Sequence, residues 1–331
     1  MTFYTLMSFL SFVIAAFISA NLVKLSPNGK VFVDIPNHRK VHEKEIARNG
    51  GLAMFMAIFS VWIISIAFNR YIFSYQLMLA ISLVFVTGLL DDAFELNFKI
   101  KFLMQFIAAT ICIQNGLLMK NIPLTPFGEI ENIGVRIFLT YLWIIGVTNA
   151  INLIDGIDGL ASLVVVSSSA FLFLKFKDPL TLILIATCAG FLIYNWNPAK
   201  IFMGDSGSYL LGFIISLLTL QNFTTNGKTW LIGMGIFLGY PVLETLYSFL
   251  RRLLQKKNPF SADQEHFHHQ LLKKGLSQKI VLFNLLSLSL LFNFLGLLFY
   301  RNGLIGFIIY ILVGVFFYFY IRFPVEAKRS L

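Results

Sequence analysis

The chain has 331 residues, 57% of them hydrophobic and only 13% charged, with a mean hydropathy of +0.78 and a net charge of +10. A soluble domain is about one-quarter charged, so the composition excludes one and predicts an all-α, polytopic membrane helical bundle. The positive charge does not point to nucleic acid, because Lys and Arg beside membrane helices orient them and attract anionic membrane lipids.

With roughly twenty residues per span, eleven apolar segments follow in order. They lie near 3–23, 51–69, 72–90, 101–118, 134–152, 160–174, 179–196, 208–221, 230–250, 281–300 and 303–322. About 11 transmembrane helices are therefore expected, in one integral-membrane unit over residues 1–331 with a cytoplasmic loop at 251–280. The first run has no basic leader and no small-residue cleavage site, and it is expected to stay as a helix. Cys112 and Cys188 each sit inside an apolar run, so no disulfide is expected.

Counting Lys and Arg in alternate loops places 19 of the 26 on one side and 7 on the other. The richer side is expected to be cytoplasmic, with the N-terminus outside and the C-terminus inside. All five His and 13 of the 16 acids fall on that side. A transporter or flippase, the alternative class, is expected to place ionisable groups near mid-membrane and to serve both faces. Here the chemistry gathers at one face.

The first polar cluster on that face, Asp34–Gly51, offers Arg39, Lys40, His42 and Arg48 as donors to anionic groups. The same charges also serve as an orientation signal, which would not require the His or the closing Gly50–Gly51. The second cluster, Gly88–Gln105, carries adjacent Asp91 and Asp92, which on a helix point about 100° apart and so cannot share one task. Lys101, nine residues beyond Asp92, can supply a countercharge.

The third cluster, NAINLIDGIDGL over Asn149–Leu160, sets two Asn, two Asp and two Gly between apolar runs. An amide or carboxylate at membrane depth is unfavourable unless partnered or facing a wet cavity, which marks it as a functional candidate. Asp155 and Asp158 would share a face if helical, and Gly156 and Gly159 leave room for a backbone or a phosphate.

In the fourth cluster, Asn195–Phe213, Gly204-Asp205-Ser206-Gly207-Ser208 puts one carboxylate among small residues at the mouth of a helix. A helix start favours phosphate, and a lone carboxylate there suits Mg²⁺, which takes one or two protein oxygens and leaves the rest to water and substrate. Asp205 could equally be a turn or cap residue. The fifth cluster, Arg251–Gly275, contains His266, His268 and His269. Without Cys, and with adjacent His, it does not follow zinc spacing; donors to a pyrophosphate or sugar are expected instead.

Five motifs in this order, Arg39–His42 (RKVH), GLLDD with Lys101, NAINLIDGIDGL, FMGDSGS and HFHH, resemble the polyprenyl-phosphate N-acetylhexosamine-1-phosphate transferases. The likeness runs from Asp34 to Gly275. The context DQEHFHHQLL is similar to the branch that initiates O-antigen, teichoic-acid or capsule chains, and less so to the phospho-N-acetylmuramoyl-pentapeptide branch, the nearer alternative. One departure is Glu244 in PVLET, where the pattern leads us to expect Asp.

The resemblance implies transfer of an N-acetylhexosamine 1-phosphate, GlcNAc by default, from a UDP-N-acetylhexosamine to undecaprenyl phosphate with release of UMP. The expected setting is the bacterial cytoplasmic (inner) membrane with the active site facing the cytoplasm, and a homodimer is allowed. Two anions must meet in a poorly solvated groove, so catalysis is positioning and charge neutralisation. By resemblance Asp91 orients or deprotonates the lipid phosphate and Lys101 binds it. Asn152 and Asp205 hold Mg²⁺, with Mn²⁺ as a substitute. Asp158 faces the uracil, Asp92 and Asp155 lie near the phosphates, His266, His268 and His269 bind pyrophosphate and sugar, and Asn149, Arg39, Lys40 and His42 contribute to substrate binding.

Overall fold

The computed structural model describes residues 2–25, 33–34, 46–124, 128–257 and 265–322. Thirteen helices are present among them. In chain order they are α1 (Thr2–Leu25), α2 (Gly50–Ala67), α3 (Tyr75–Phe94), α4 (Phe98–Gln114), α5 (Ile133–Ile154), α6 (Leu160–Phe176), α7 (Pro179–Asn195), α8 (Gly204–Asn222), α9 (Leu231–Phe237), α10 (Gly239–Leu254), α11 (Phe267–Lys273), α12 (Gln278–Leu298) and α13 (Gly303–Arg322). The β-structure among the described residues is three antiparallel pairs of two-residue strands. The bundle is all-α, as composition predicts.

All eleven apolar segments of the sequence become helices, ten of them as one helix each. Six helices are long and apolar enough to cross a membrane: α1, α2, α3, α5, α12 and α13. The segment near 230–250 differs from expectation. It divides at Leu238 into α9 and α10, which are bent by 91°. The cause lies in Pro241, which has no N–H to give the carbonyl of Phe237 four residues earlier. That carbonyl is taken instead by Asn293 Nδ2 of α12 at 2.7 Å. Asn293 is fully buried and also bonds Ser167 and Ser168 of α6. Interhelical polar bonds in membranes average only about 0.6 kcal/mol, whereas a stranded buried carbonyl costs about 1–3 kcal/mol. Satisfying the broken turn is thus the larger contribution of Asn293.

At the centre stands α8. Every residue of it except Asp205 and Gln221 is buried, as expected of a helix that is apolar all round. It packs against α2, α3, α5 and α6. α1 lies along α7 at the periphery, joined by the Ser11 and Thr187 hydroxyls at 2.6 Å. These contacts bring the C-terminal ends of α3 and α5 to the N-terminal ends of α4 and α8.

Candidate active site

The chain turns sharply after α3. Glu95, its C-cap, adopts φ 49°, and the Asn97 side chain then caps α4 by accepting from Lys99 N at 3.0 Å. This reversal brings Lys101, on the first turn of α4, back to Asp91 on the last turn of α3, with Nζ and Oδ2 2.7 Å apart. The other oxygen of Asp91 accepts from Leu96 N at 2.7 Å.

Asp92 points elsewhere. Its oxygens accept from the backbone N–H groups of Asp205 at 2.8 Å and Ser206 at 3.0 Å. It therefore does the work of a helix cap, with its carboxylate on the first turn of α8. Gly204, just before, has φ +69°, and a Cβ there would stand 2.5 Å from Asp92 Oδ2. Only glycine allows the two chains this approach. The segment is also held from α2: Gly50 N and Gly51 N donate to the carbonyls of Phe202 and Met203, each at 2.9 Å.

Asp205 is the meeting point. Its Oδ1 accepts from Asn152 Nδ2 at 2.9 Å, and Arg48 Nη2 lies 3.4 Å away. Arg48 also reaches Asp92 with Nε at 3.2 Å. The Asp205 carboxylate faces that of Asp91 closely enough to interact with it directly. Asn152 bonds Ser208 Oγ at 2.8 Å as well. Two carboxylates turned toward each other repel unless a proton or cation lies between them. A flip of the Asn152 amide would present its oxygen in place of its nitrogen. The donor set, carboxylate and amide oxygen, fits a hard cation such as Mg²⁺. Among the described residues no three His, Cys, Asp or Glu form a closed metal cluster, and Mg²⁺ does not require one.

Asp155 and Asp158 do not share a helical face. α5 ends at Ile154, Asp155 is its C-cap, and Asp158 lies in the turn that follows. Asp155 keeps some solvent contact yet is ringed by protein, and this desolvation pushes its carboxyl up to about 8, with the nearby Asp205 charge adding to the effect. Asp158 Oδ2 accepts from Asn197 Nδ2 and Ala199 N, both at 3.0 Å. Asn195 grips the same turn, accepting from Gly159 N at 3.1 Å.

The His motif reaches the central stretch from the far side. His268 is buried, and a Cβ added at Gly156 would collide with its Nε2. Neither ring nitrogen of His268 has a hydrogen-bond partner among the described residues. Burial, with His269 and His266 nearby, holds its pKa well below the usual histidine value, so the ring is neutral.

The family model for glycosyl transferase family 4 matches residues 74–222. Over 274 residues the chain is 38% identical to a probable undecaprenyl-phosphate N-acetylglucosaminyl 1-phosphate transferase of Bacillus subtilis, covering 79% of this chain and 75% of that protein. It is 32% identical over 291 residues to the undecaprenyl-phosphate alpha-N-acetylglucosaminyl 1-phosphate transferase of Thermotoga maritima, with 86% and 87% covered. The Escherichia coli protein of that same name is 31% identical over 272 residues, with 75% and 71% covered.

The chain belongs to glycosyl transferase family 4. It is a membrane-embedded phosphoglycosyltransferase. In this transferase Asp91, Asp92, Lys101, Asn152 and Asp205 come together as one group, with Asp155 close by. Asp158 sits apart, held by Asn197 and Ala199 of the loop over 195–199. Asn149 pairs with Gln105, donating from Nδ2 to Oε1 at 2.6 Å, and so ties α5 to α4. Arg39, Lys40 and His42 lie outside the described residues.

Sequence reasoning gave no role to Gln105, Asn195 or Asn197; the available signal was an amide within or at the end of an apolar run, which holds for Gln105 and Asn195 but not for Asn197. It also treated Glu244 as a mere variant of Asp. In the structure Glu244 is fully buried and anchors His266, whose Nδ1 lies 2.9 Å from its Oε1.

Proposed function

We propose that the transferase moves N-acetylglucosamine 1-phosphate from UDP-GlcNAc to undecaprenyl phosphate, releasing UMP, at the cytoplasmic face of the bacterial cytoplasmic membrane. About eleven membrane passages are part of this reading. The observation that carries it is the convergence of Asp91, Lys101, Asn152 and Asp205 where α3, α4, α5 and α8 meet. The names of the relatives support the substrates.

In this reading an oxygen of the lipid phosphate attacks the sugar-bearing phosphorus of the nucleotide sugar. The phosphoanhydride bond breaks, and its electron pair leaves with UMP. Lys101 neutralises the incoming lipid phosphate, and Asp91, held by Leu96 N–H, fixes where that ammonium stands. Arg48 adds positive charge beside the acids. His268 and its neighbours take the pyrophosphate and sugar, and Asp158 lies beside the uracil. Asp205 with Asn152 would hold Mg²⁺ or Mn²⁺, which when bound neutralises charge on the pyrophosphate.

The test is UMP release by the detergent-purified protein with undecaprenyl phosphate and a panel of UDP-sugars. UDP-GlcNAc is expected to give the highest kcat/KM. Turnover of UDP-N-acetylmuramoyl-pentapeptide alone, or movement of substrate without UMP release, would overturn the proposal.

A further inference from the structure

Glu244 lies on α10, 0% exposed. A carboxylate so deep in the protein is unfavourable unless its lone pairs are met. They are met from the start of the His motif. Phe267 N donates to Oε1 at 3.1 Å and Oε2 at 3.2 Å, and His266 Nδ1 stands 2.9 Å from Oε1. Ser248, one turn further along α10, places Oγ 3.2 Å from the same Nδ1.

The His266 ring in turn lies nearly parallel to that of His268, 9° between planes and 5.7 Å between centroids. His268 is the ring that presses on Gly156 and whose nitrogens lack partners. Its direction is set by the short turn α11, whose first residue is Phe267. The direction of α10 is set by the break at Leu238, where Asn293 takes the freed carbonyl. Glu244 is thus the link between a helix of fixed direction and the imidazole beside the central stretch.

We infer that Glu244 is a positioning residue for the transfer reaction: by holding His266 and the Phe267 N–H it sets the angle at which His268 is presented beside Gly156 to the nucleotide sugar. This rests on the assignment of the His motif to that substrate. The chemistry requires a carboxylate and not merely a polar group of that size. With the His266 proton on Nδ1 both neighbours donate, to Oε1 from His266 and to both oxygens from Phe267, whereas an amide would turn its N–H toward the Phe267 N–H.

The experiment is a double-mutant cycle on the full-length protein in detergent, using Glu244→Ala, Glu244→Gln, Glu244→Asp, His268→Ala and the Glu244→Ala/His268→Ala pair. Steady-state kinetics with both substrates and melting temperature are the readouts. Glu244→Ala and Glu244→Gln are expected to raise the KM for UDP-GlcNAc about tenfold or more while the KM for undecaprenyl phosphate stays within about twofold. Glu244→Asp, which keeps both acceptors, recovers most of the loss. The pair is expected to be little worse than His268→Ala alone, because both changes remove one function. Additive effects, or a loss shared equally by the two substrates and not rescued by Asp, would overturn the inference while leaving the motif's role intact. A silent His268→Ala would instead remove the substrate assignment of the motif, and this inference with it. Should Glu244→Ala not fold, Glu244→Gln takes its place in the cycle.

Discussion

The side chain of Asp92 holds the backbone of Asp205: its two oxygens take the N–H groups of Asp205 and Ser206 on the first turn of α8, the turn that presents the Asp205 carboxylate. Two acids from one polar group therefore carry separable tasks. Asp92→Asn turns an amide N–H toward backbone N–H donors and is expected to lower stability by about 1–3 kcal/mol, read as a fall in melting temperature. Its residual activity keeps the wild-type Mg²⁺ dependence. Asp205→Asn should leave melting nearly unchanged and lower turnover on the order of 100-fold or more. Asp205→Glu is also expected to be poor, since Mg²⁺ demands tight geometry. Asn152→Asp should keep metal binding but weaken UDP-sugar affinity by added negative charge. Near-normal activity of Asp205→Asn with unchanged Mg²⁺ dependence would move the metal assignment to Asp91 or Asp155.

Gly156→Ala drives a methyl group into the space held by His268 Nε2. The expected result is a rise in the KM for UDP-GlcNAc of about tenfold. In a His268→Ala background the same substitution should have little effect. An equal effect in both backgrounds would place the strain in the backbone turn and not in the imidazole.

Asp155 gives a dependence of stability on pH. Its folded pKa, about 8, lies above the ordinary carboxyl value of 3.8. The folded state therefore holds a proton that the unfolded state has lost, and stability falls as pH rises from about 4 to 8. Asp155→Asn removes this slope. In Mg²⁺-free buffer its melting temperature should exceed that of the wild type at pH 8 and converge with it toward pH 4. Parallel melting curves across that range would show that Asp155 is ionised in the folded protein.

The reaction exchanges one phosphoanhydride for another and should be freely reversible. Radiolabelled UMP is expected to appear in UDP-GlcNAc when the lipid diphospho-sugar is present. Exchange without any lipid would favour a covalent enzyme intermediate over direct attack.

The Lys and Arg distribution predicts that the loops at Asp34–Gly51 and Arg251–Gly275 face the cytoplasm. Single Cys residues placed by Ser26→Cys and Ser261→Cys should resist an impermeant thiol reagent in intact cells and react after lysis. The native Cys112 and Cys188 are buried and give little background. Labelling of either site without lysis would reverse the orientation.

The helices and the polar clusters were legible in the sequence because hydropathy and its interruptions are properties of single segments. Even the adjacency of Asp91 and Asp92 was informative, since two neighbours on a helix must point apart, and they do. Their separate tasks were not legible. They depend on where α4 and α8 arrive, from Lys101 in one case and from a stretch over a hundred residues away in the other. The break at Leu238 was written in Pro241, but averaging over a twenty-residue apolar window hid it, and its repair by Asn293 spans 56 residues. Glu244 was noticed only as a substitution, because its partners lie 22 and 23 residues downstream in the chain.

The sheathing of α8 by its neighbours keeps the helix that carries Asp205 out of contact with lipid. Lipids differing in chain length exert hydrophobic mismatch on helices that touch them, through tilt and local thinning. Those helices include α1 and α13, whose broad faces of Phe and Leu are exposed. α8 meets other helices along nearly its whole length, and the turn bearing Asp205 is tied to α3 by Asp92 and to α2 by Gly50 and Gly51. Mismatch therefore acts on the rim helices, whereas the turn bearing Asp205 is held by protein contacts and not by lipid.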